Sequence, residues 1–216
     1  FSKSILNNKL KKDQIDIYFA RANILHKEKN YEESSKYLKL ANNLKLELNH
    51  YKIENLLNKS LELLTESNQI LENEQAITNF PESIFIVGMP RSGSTLLESI
   101  LSMSKDSYDL GENNILEESF LKCKKSTKKN ILSELYLKKI NHKTKLNITT
   151  NKWLYNYQYA GIIAKNIPNV KIIHCFRNPL DNILSIYRAN FAQGNQYSSS
   201  LVDSAKVYLD QEKIMK

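Results

Sequence analysis

Cysteine is scarce in this chain, and long apolar runs are absent from it. Cys123 and Cys175 are its two cysteines, too few for a disulfide framework, and they favour a reducing, cytoplasmic compartment. No group of metal-ligating residues accompanies them, so we expect no metal ion. Since no run of about 18 apolar residues occurs, we expect no membrane span. The chain begins at Phe1 without a signal-like segment and stops at Lys216 inside a helical pattern, so we expect a C-terminally incomplete fragment.

Positive charge exceeds negative charge, with 31 lysines and arginines against 23 acidic residues and a net charge of +8. This balance favours anionic ligands. The lysines are spread over many helical segments and form no dense basic block, so we expect no nucleic-acid partner. Apolar residues make up 41% of the chain, which predicts a packed globular protein.

Residues 1–78 are predicted to form a helical segment. A first helix is indicated by helix-spaced apolar residues, and a third is predicted over residues 53–71. The second helix begins at Tyr31, with Asn30 as its N-cap and Glu33 three residues later. The first helix carries Ile15, Tyr18, Phe19, Ala22 and Leu25.

The first two helices resemble one tetratricopeptide hairpin. A single repeat of this kind cannot bury its own face, so it is expected to pack on a neighbouring domain or repeat. It would also offer a surface to a protein partner. The packing positions of the repeat match Tyr31, Ser34, Leu38 and Ala41.

Residues 79–216 read as an α/β domain. Strand patterns alternate with helical patterns, which predicts a parallel sheet with short crossovers. Residues 117–147 are predicted to be helical. The predicted strands are Ile84–Val87, Ile148–Asn151 and Val170–Cys175, and the predicted helices are Ser94–Met103, Tyr157–Asn166, Pro179–Phe191 and Leu201–Ile214.

A glycine-bearing turn follows the first predicted strand. Gly88 and Gly93 bracket it, and a helix follows at once, so backbone N–H groups converge on one point that suits a phosphate. The turn resembles a Walker A loop, but Ser94 stands where that loop has lysine, and Arg91 is its one cation. The missing lysine argues against hydrolysis of a nucleoside triphosphate. An ordinary βα turn with chance glycines is the simpler alternative.

Residues Pro90–Thr95, which we call the anion loop, resemble the 5′-phosphosulfate loop of sulfotransferases. The segment from Cys175 to Arg188 resembles the 3′-phosphate segment of the same enzymes, with Arg177 and Ser185 as the phosphate-binding residues. Within that family, the chain resembles the bacterial tetratricopeptide-linked sulfotransferases and, in its catalytic part, the protein-tyrosine sulfotransferases. The resemblance implies a P-loop-containing parallel sheet flanked by helices, and 3′-phosphoadenosine 5′-phosphosulfate as co-substrate without a metal. The loop residues are Pro90, Arg91, Ser92, Gly93, Ser94 and Thr95.

Three residues are implied to be catalytic. Glu112 matches the general base of the family, which takes the proton of the acceptor hydroxyl. Lys152 matches a lysine that neutralises charge on the bridging oxygen and the sulfuryl group, and Arg91 adds charge from the loop. This sequence departs from the lysine segment of the tyrosine sulfotransferases, where Asp-Pro stands in place of Trp153-Leu154.

Other residues compete for these roles. Glu117 and Glu118 are alternative bases, and a helix-capping carboxylate is the structural alternative for all three glutamates. His142 and His174 are weaker candidates, because His174 lies inside an apolar strand.

The resulting hypothesis is sulfuryl transfer by in-line displacement to a hydroxyl of a peptide tyrosine, a glycan or a metabolite. Two alternatives remain open. A P-loop nucleotide or small-molecule kinase would need the Walker lysine and an acidic magnesium ligand. A catalytically inactive helical-repeat interaction protein would need neither.

Overall fold

A computed structural model describes residues 9–49, 51–70, 80–127, 131–191 and 194–216. The chain divides into two compact units, one of Phe1–Asn55 with Asn178–Leu209 and one of Leu56–Arg177 with Asp210–Lys216. No helix in these ranges is both long enough and apolar enough to cross a membrane. The helices are α1 Lys11–Lys27, α2 Tyr31–Leu48, α3 Ile53–Gln69, α4 Ser94–Leu101, α5 Ile115–Lys124, α6 Leu132–Asn141, α7 Ala160–Asn166, α8 Pro179–Tyr187 and α9 Leu201–Ile214.

The two compact units are defined by contacts, and their bounds differ from the segments 1–78 and 79–216 that composition and motifs suggest. Residue 79 lies outside the described residues, and the division into a tetratricopeptide-like segment and a catalytic domain stays a prediction.

The first unit is built on the hairpin of α1 and α2. The predicted helix spacing is correct, because its apolar positions form one buried cluster. Asn30 caps α2 as predicted, its side chain accepting a hydrogen bond from the N–H of Glu33. Tyr31 was predicted to pack, but it is 58% exposed because it lies on the outer face of α2. The buried cluster contains Ile15, Phe19, Ala22, Leu38 and Ala41.

A distant segment of the chain completes this unit. Tyr187 at the end of α8 packs against the cluster, and its carbonyl oxygen accepts a hydrogen bond of 3.0 Å from Asn42 Nδ2. Asn190 Nδ2 donates to Asp16 Oδ1 at 2.7 Å. Because these contacts fix the backbone after Tyr187, α8 ends at that residue. The predicted continuation of the helix to Phe191 is wrong.

The second unit holds a four-stranded parallel sheet in the order β2-β3-β1-β4, which confirms the predicted fold class. β3 and β4 have the predicted bounds, and β1 is longer than predicted. β2 was not predicted, because its three residues are mostly exposed and form no apolar pattern. The strands are β1 Glu82–Gly88, β2 Ser107–Asp109, β3 Ile148–Asn151 and β4 Val170–Cys175.

The helices of the α/β region depart from prediction at their ends. α4 ends at Leu101, short of the predicted Met103. The predicted helix from Tyr157 is split, because Leu154–Tyr159 forms a 3₁₀ helix and α7 starts at Ala160. The predicted helical stretch 117–147 contains α6 and most of α5, which begins earlier at Ile115, whereas α9 has its predicted bounds.

The core of the second unit fixes the position of β1. Phe85 is fully buried and lies with its ring centroid 5.5 Å from that of Tyr136 on α6. Leu116 of α5 and Ile163 of α7 are buried in the same cluster. Burying a side chain such as Phe85 contributes about 2–3 kcal/mol, so this packing anchors the strand that leads into the anion loop.

Gly88 allows β1 and β4 to approach closely at the end where the anion loop begins. It pairs with Cys175, and a Cβ atom at residue 88 would lie 2.3 Å from the carbonyl oxygen of Cys175. Its φ of +149° is also one that L side chains rarely adopt. A side chain here would therefore separate the two strands.

We expect Gly88→Ala to destabilise the protein by about 2–4 kcal/mol, because the clash is with backbone that cannot rotate away. The matched control is Gly194→Ala. Gly194 has a φ of +68° but nothing within 4 Å of the added carbon, so this change carries only the cost of its backbone conformation, about 1 kcal/mol. Chemical denaturation of both variants measures the difference, and equal losses would show that the strand contact does not matter.

Candidate functional site

The anion loop reverses the chain direction between β1 and α4. Arg91 has a φ of +67° and Gly93 a φ of +102°, two left-handed conformations two residues apart. Gly93 is the N-cap of α4 and supplies no side-chain hydrogen bond to its first turn. The first N–H groups of a helix lack intrahelical partners, so the start of α4 is suited to an anion.

Ser92 and Ser94 of the anion loop are less exposed than its cation, Arg91. Ser94 is 5% exposed, whereas Arg91 is exposed. Ser92 Oγ is buried and has no hydrogen-bond partner among the described residues. An unpaired buried hydroxyl is costly, so an oxygen of a bound anion would supply what this group lacks.

Arg177 lies two residues after the end of β4 and is exposed. Its Nη1 donates to the carbonyl oxygen of Arg91 at 3.5 Å, which is a long hydrogen bond. The structure therefore brings Arg177 beside the anion loop. Ser185 lies on α8, in the other compact unit, and its predicted role stays a prediction.

Lys152 lies at the centre of the site. It follows β3, and its side chain is only 6% exposed. Its ammonium donates to Glu112 Oε1 at 2.5 Å and to Thr95 Oγ1 at 3.4 Å. Glu98 Oε2 lies 3.6 Å from the same nitrogen. We call Thr95, Glu98, Glu112 and Lys152 the lysine cluster.

Sheet pairing places the members of this cluster. β2 and β3 continue their pairing past the strand ends, because the N–H of Leu110 donates to Thr150 and the N–H of Lys152 donates to Gly111. The carboxyl ends of parallel strands lie at the same edge of a sheet, where α/β proteins bind ligands. Glu112 and Lys152, 40 residues apart in sequence, meet there.

Two asparagines shape the turns that carry Glu112 and Lys152. Asn151 Oδ1 accepts hydrogen bonds from the N–H of Trp153 at 3.1 Å and from Asn156 Nδ2 at 3.0 Å. Asn151 Nδ2 donates to Asn113 Oδ1 at 3.3 Å, which links the lysine turn to the glutamate turn. An asparagine turn therefore holds the backbone around Lys152 in the absence of the family's Asp-Pro.

The alternative bases have structural partners. Glu117 Oε1 accepts from Lys59 at 2.5 Å and from the Tyr159 hydroxyl at 3.1 Å. Glu118 is paired with Lys139, whose hydrogen bond and positive charge lower the pKa of the Glu118 carboxyl. Glu112 differs in contacting Lys152, and its side chain is 62% exposed.

His142, His174 and Cys175 lie on elements that carry no member of the lysine cluster. His142 is exposed at the end of α6. His174 is partly buried on β4, and burial lowers its pKa. Cys175 is partly buried, and burial raises the pKa of its thiol. Within the described ranges, no three His, Cys, Asp or Glu residues are grouped so as to hold a metal ion.

Glu98 is the site residue that sequence reasoning missed. It lies on the inner face of α4, one helical turn after Ser94, and is 6% exposed. Burial raises the pKa of its carboxyl to about 7, and a hydrogen bond to Asp109 adds to the rise while Lys152 opposes it. The available signal was the helix spacing of Ser94 and Glu98, which puts both on one face.

We expect the stability of Glu98→Gln to rise relative to that of the wild-type protein as the pH is raised. The pKa of Glu98 is raised on folding, so its contribution is favourable below about pH 4.5 and is lost as pH rises to about 7. The glutamine variant lacks this titration, and the difference in Tm between the two proteins should change by a few degrees from pH 5 to pH 8. Thermal unfolding across this range measures it, with Glu134→Gln as an exposed control. A difference independent of pH would contradict the assignment.

Comparison with known proteins adds an independent finding. The family model described as the sulfotransferase domain matches residues 81–211. A curated protein of Aquifex aeolicus (strain VF5), described as uncharacterized, is 30% identical over a match covering 81% of this chain and 26% of that protein. The chain thus spans about a quarter of that relative's length. Because the family model covers more than half of the chain, including the anion loop and the lysine cluster, the chain belongs to the sulfotransferase family.

Proposed function

We propose that this chain provides the donor site and the catalytic groups for transfer of a sulfuryl group from 3′-phosphoadenosine 5′-phosphosulfate to a hydroxyl acceptor. One observation carries the proposal. The Lys152 ammonium lies within 3.4 Å of Thr95 at the start of α4 and within 2.5 Å of Glu112. One edge of the sheet thereby combines a loop for the donor, a cation for the transferred charge and a carboxylate for the acceptor.

On the donor side, the anion loop binds the 5′-phosphosulfate. The uncapped start of α4 offers N–H groups, and the buried Ser92 hydroxyl offers a hydrogen bond that no described residue takes up. Arg91 brings a positive charge to the loop. Arg177, placed beside the loop by its contact with the Arg91 carbonyl, binds the 3′-phosphate through its guanidinium.

At the reacting centre, Lys152 balances charge that develops on the bridging oxygen and on the sulfuryl oxygens. The burial of Lys152 strengthens this effect, because less water screens its charge. In the reaction the acceptor oxygen forms a bond to sulfur, and the bond from sulfur to the bridging oxygen breaks. The leaving product is 3′-phosphoadenosine 5′-phosphate.

On the acceptor side, Glu112 takes the proton of the attacking hydroxyl. Its exposure makes the carboxylate accessible, whereas Glu117 and Glu118 are held by lysines on other elements. The acceptor is a hydroxyl compound such as a peptide tyrosine, a glycan or a metabolite. The tetratricopeptide-like hairpin of α1 and α2 is a proposed surface for a protein partner.

The donor site is tested by calorimetry with nucleotides in the absence of metal. We expect 3′-phosphoadenosine 5′-phosphate to bind more tightly than adenosine 5′-phosphate and ATP. Arg177→Ala should reduce the preference for the 3′-phosphate at least tenfold, or about 1.4 kcal/mol. Lys171→Ala removes a positive charge from the body of β4, where it pairs with Glu82, and should keep the preference. Tighter binding of ATP would favour a kinase and contradict the proposal.

The base is tested with Glu112→Gln in the full-length protein. The glutamine keeps the size of the side chain but cannot accept the acceptor proton at neutral pH, so turnover should fall about a hundredfold or more. Binding of 3′-phosphoadenosine 5′-phosphate should change little. Glu118→Gln is the matched control, since it removes an exposed, lysine-paired carboxylate away from the cluster. Full activity of Glu112→Gln would assign the base elsewhere.

A further inference from the structure

Lys152 has two acidic neighbours of opposite character. Glu112 contacts it from the solvent side, and 62% of the Glu112 side chain is exposed. Glu98 contacts it from the buried face of α4, and only 7% of the Glu98 side chain is exposed. Glu112 Oε1 lies 2.5 Å from Lys152 Nζ, and Glu98 Oε2 lies 3.6 Å from the same nitrogen. The buried ammonium is therefore held between an outer and an inner carboxylate.

We infer that Glu98 is a positioning residue that holds Lys152 against the start of α4 while Glu112 gains and loses its proton. The inference rests on the proposed function in one respect, the role of Glu112 as base. When Glu112 is protonated its charge is lost, and the ammonium loses its nearest anion. A buried cation without a counter-ion is strongly unfavourable, so a second anion is needed at that moment.

Glu98 is suited to this task by its place in the fold. It lies on the same helix as Thr95, whose hydroxyl accepts a hydrogen bond from Lys152. An attraction to Glu98 therefore pulls the ammonium toward the helix start that faces the anion loop. Without this attraction, the flexible four-carbon stem of Lys152 has rotamers that carry the ammonium away from α4.

The charge of Glu98 is adjustable. The charged groups that face it are Lys152 at the end of β3 and Asp109 at the end of β2, and Glu112 acts on it through the shared lysine. Two carboxylates, Glu98 and Glu112, thus share one ammonium, while Asp109 forms a hydrogen bond with Glu98. With its pKa near 7, Glu98 gains or loses its charge near neutral pH. When Glu112 is neutral, the positive charge of Lys152 is shared with no described carboxylate other than Glu98, and this favours the charged form of Glu98.

The first test uses the free protein, so that it does not depend on catalysis. Lysines are labelled by limited reductive methylation without nucleotide, and the rate at Lys152 is measured by mass spectrometry. Glu98→Gln removes the inner anion, so Lys152 should react about threefold faster or more. Lys139, paired with Glu118, is the internal control and should not change. Conversely, Glu118→Gln should affect Lys139 and leave Lys152 unchanged.

The second test measures catalysis and binding separately in the full-length protein. We expect Glu98→Gln to lower kcat about tenfold, while the Kd for 3′-phosphoadenosine 5′-phosphate stays within about twofold. Glu98→Asp keeps the charge one methylene farther away and should recover part of the loss. It also serves as the test variant in both assays if the glutamine variant does not fold.

The outcomes separate this inference from the proposed function. Unchanged labelling of Lys152 in folded Glu98→Gln would overturn the inference, as would unchanged kcat despite faster labelling. A wild-type protein that transfers no sulfuryl group would overturn the proposed function instead, and the labelling result would still decide whether Glu98 holds Lys152.

Discussion

The buried ammonium of Lys152 is the group on which the arrangement of the site depends. It is almost fully removed from solvent, and such a cation is tolerated only where anions and hydrogen-bond acceptors surround it. Those partners come from two places: Thr95 and Glu98 lie on α4, and Glu112 lies in the turn after β2. The register of β2 against β3 is therefore a requirement of the site, because a shift by one residue would turn Thr150 and its neighbours to the opposite face.

The sheet and the site were predictable to different degrees. β3 and β4 follow from short apolar runs, and Ser94 as the start of α4 follows from the glycine before it. β2 could not be found, because three mostly exposed residues carry no pattern. Tyr31, which the repeat motif assigned to packing, is 58% exposed but still contacts α1, because its ring centroid lies 5.0 Å from that of His26.

Within the site, resemblance identified Glu112 and Lys152, and the structure places them in contact. Glu98 was missed because a glutamate on a helix normally belongs to a solvated face. Its burial results from tertiary structure, since Lys152 arrives from a strand 54 residues later to neutralise part of its charge. A local pattern contains no information on such a pairing, and the same holds for the asparagine bridge between the turns at residues 113 and 151.

The contact between Asn42 and the carbonyl of Tyr187 has a consequence for biosynthesis. The two residues are 145 positions apart, and the unit they share cannot close its core until the ribosome has released the later one. The α1–α2 hairpin therefore emerges early with an unfinished apolar face, and the whole sheet of the other unit is translated before that face is covered. Contacts of such long sequence separation slow folding through their loop-closure entropy. During that interval the apolar face of the hairpin is open to non-native contacts.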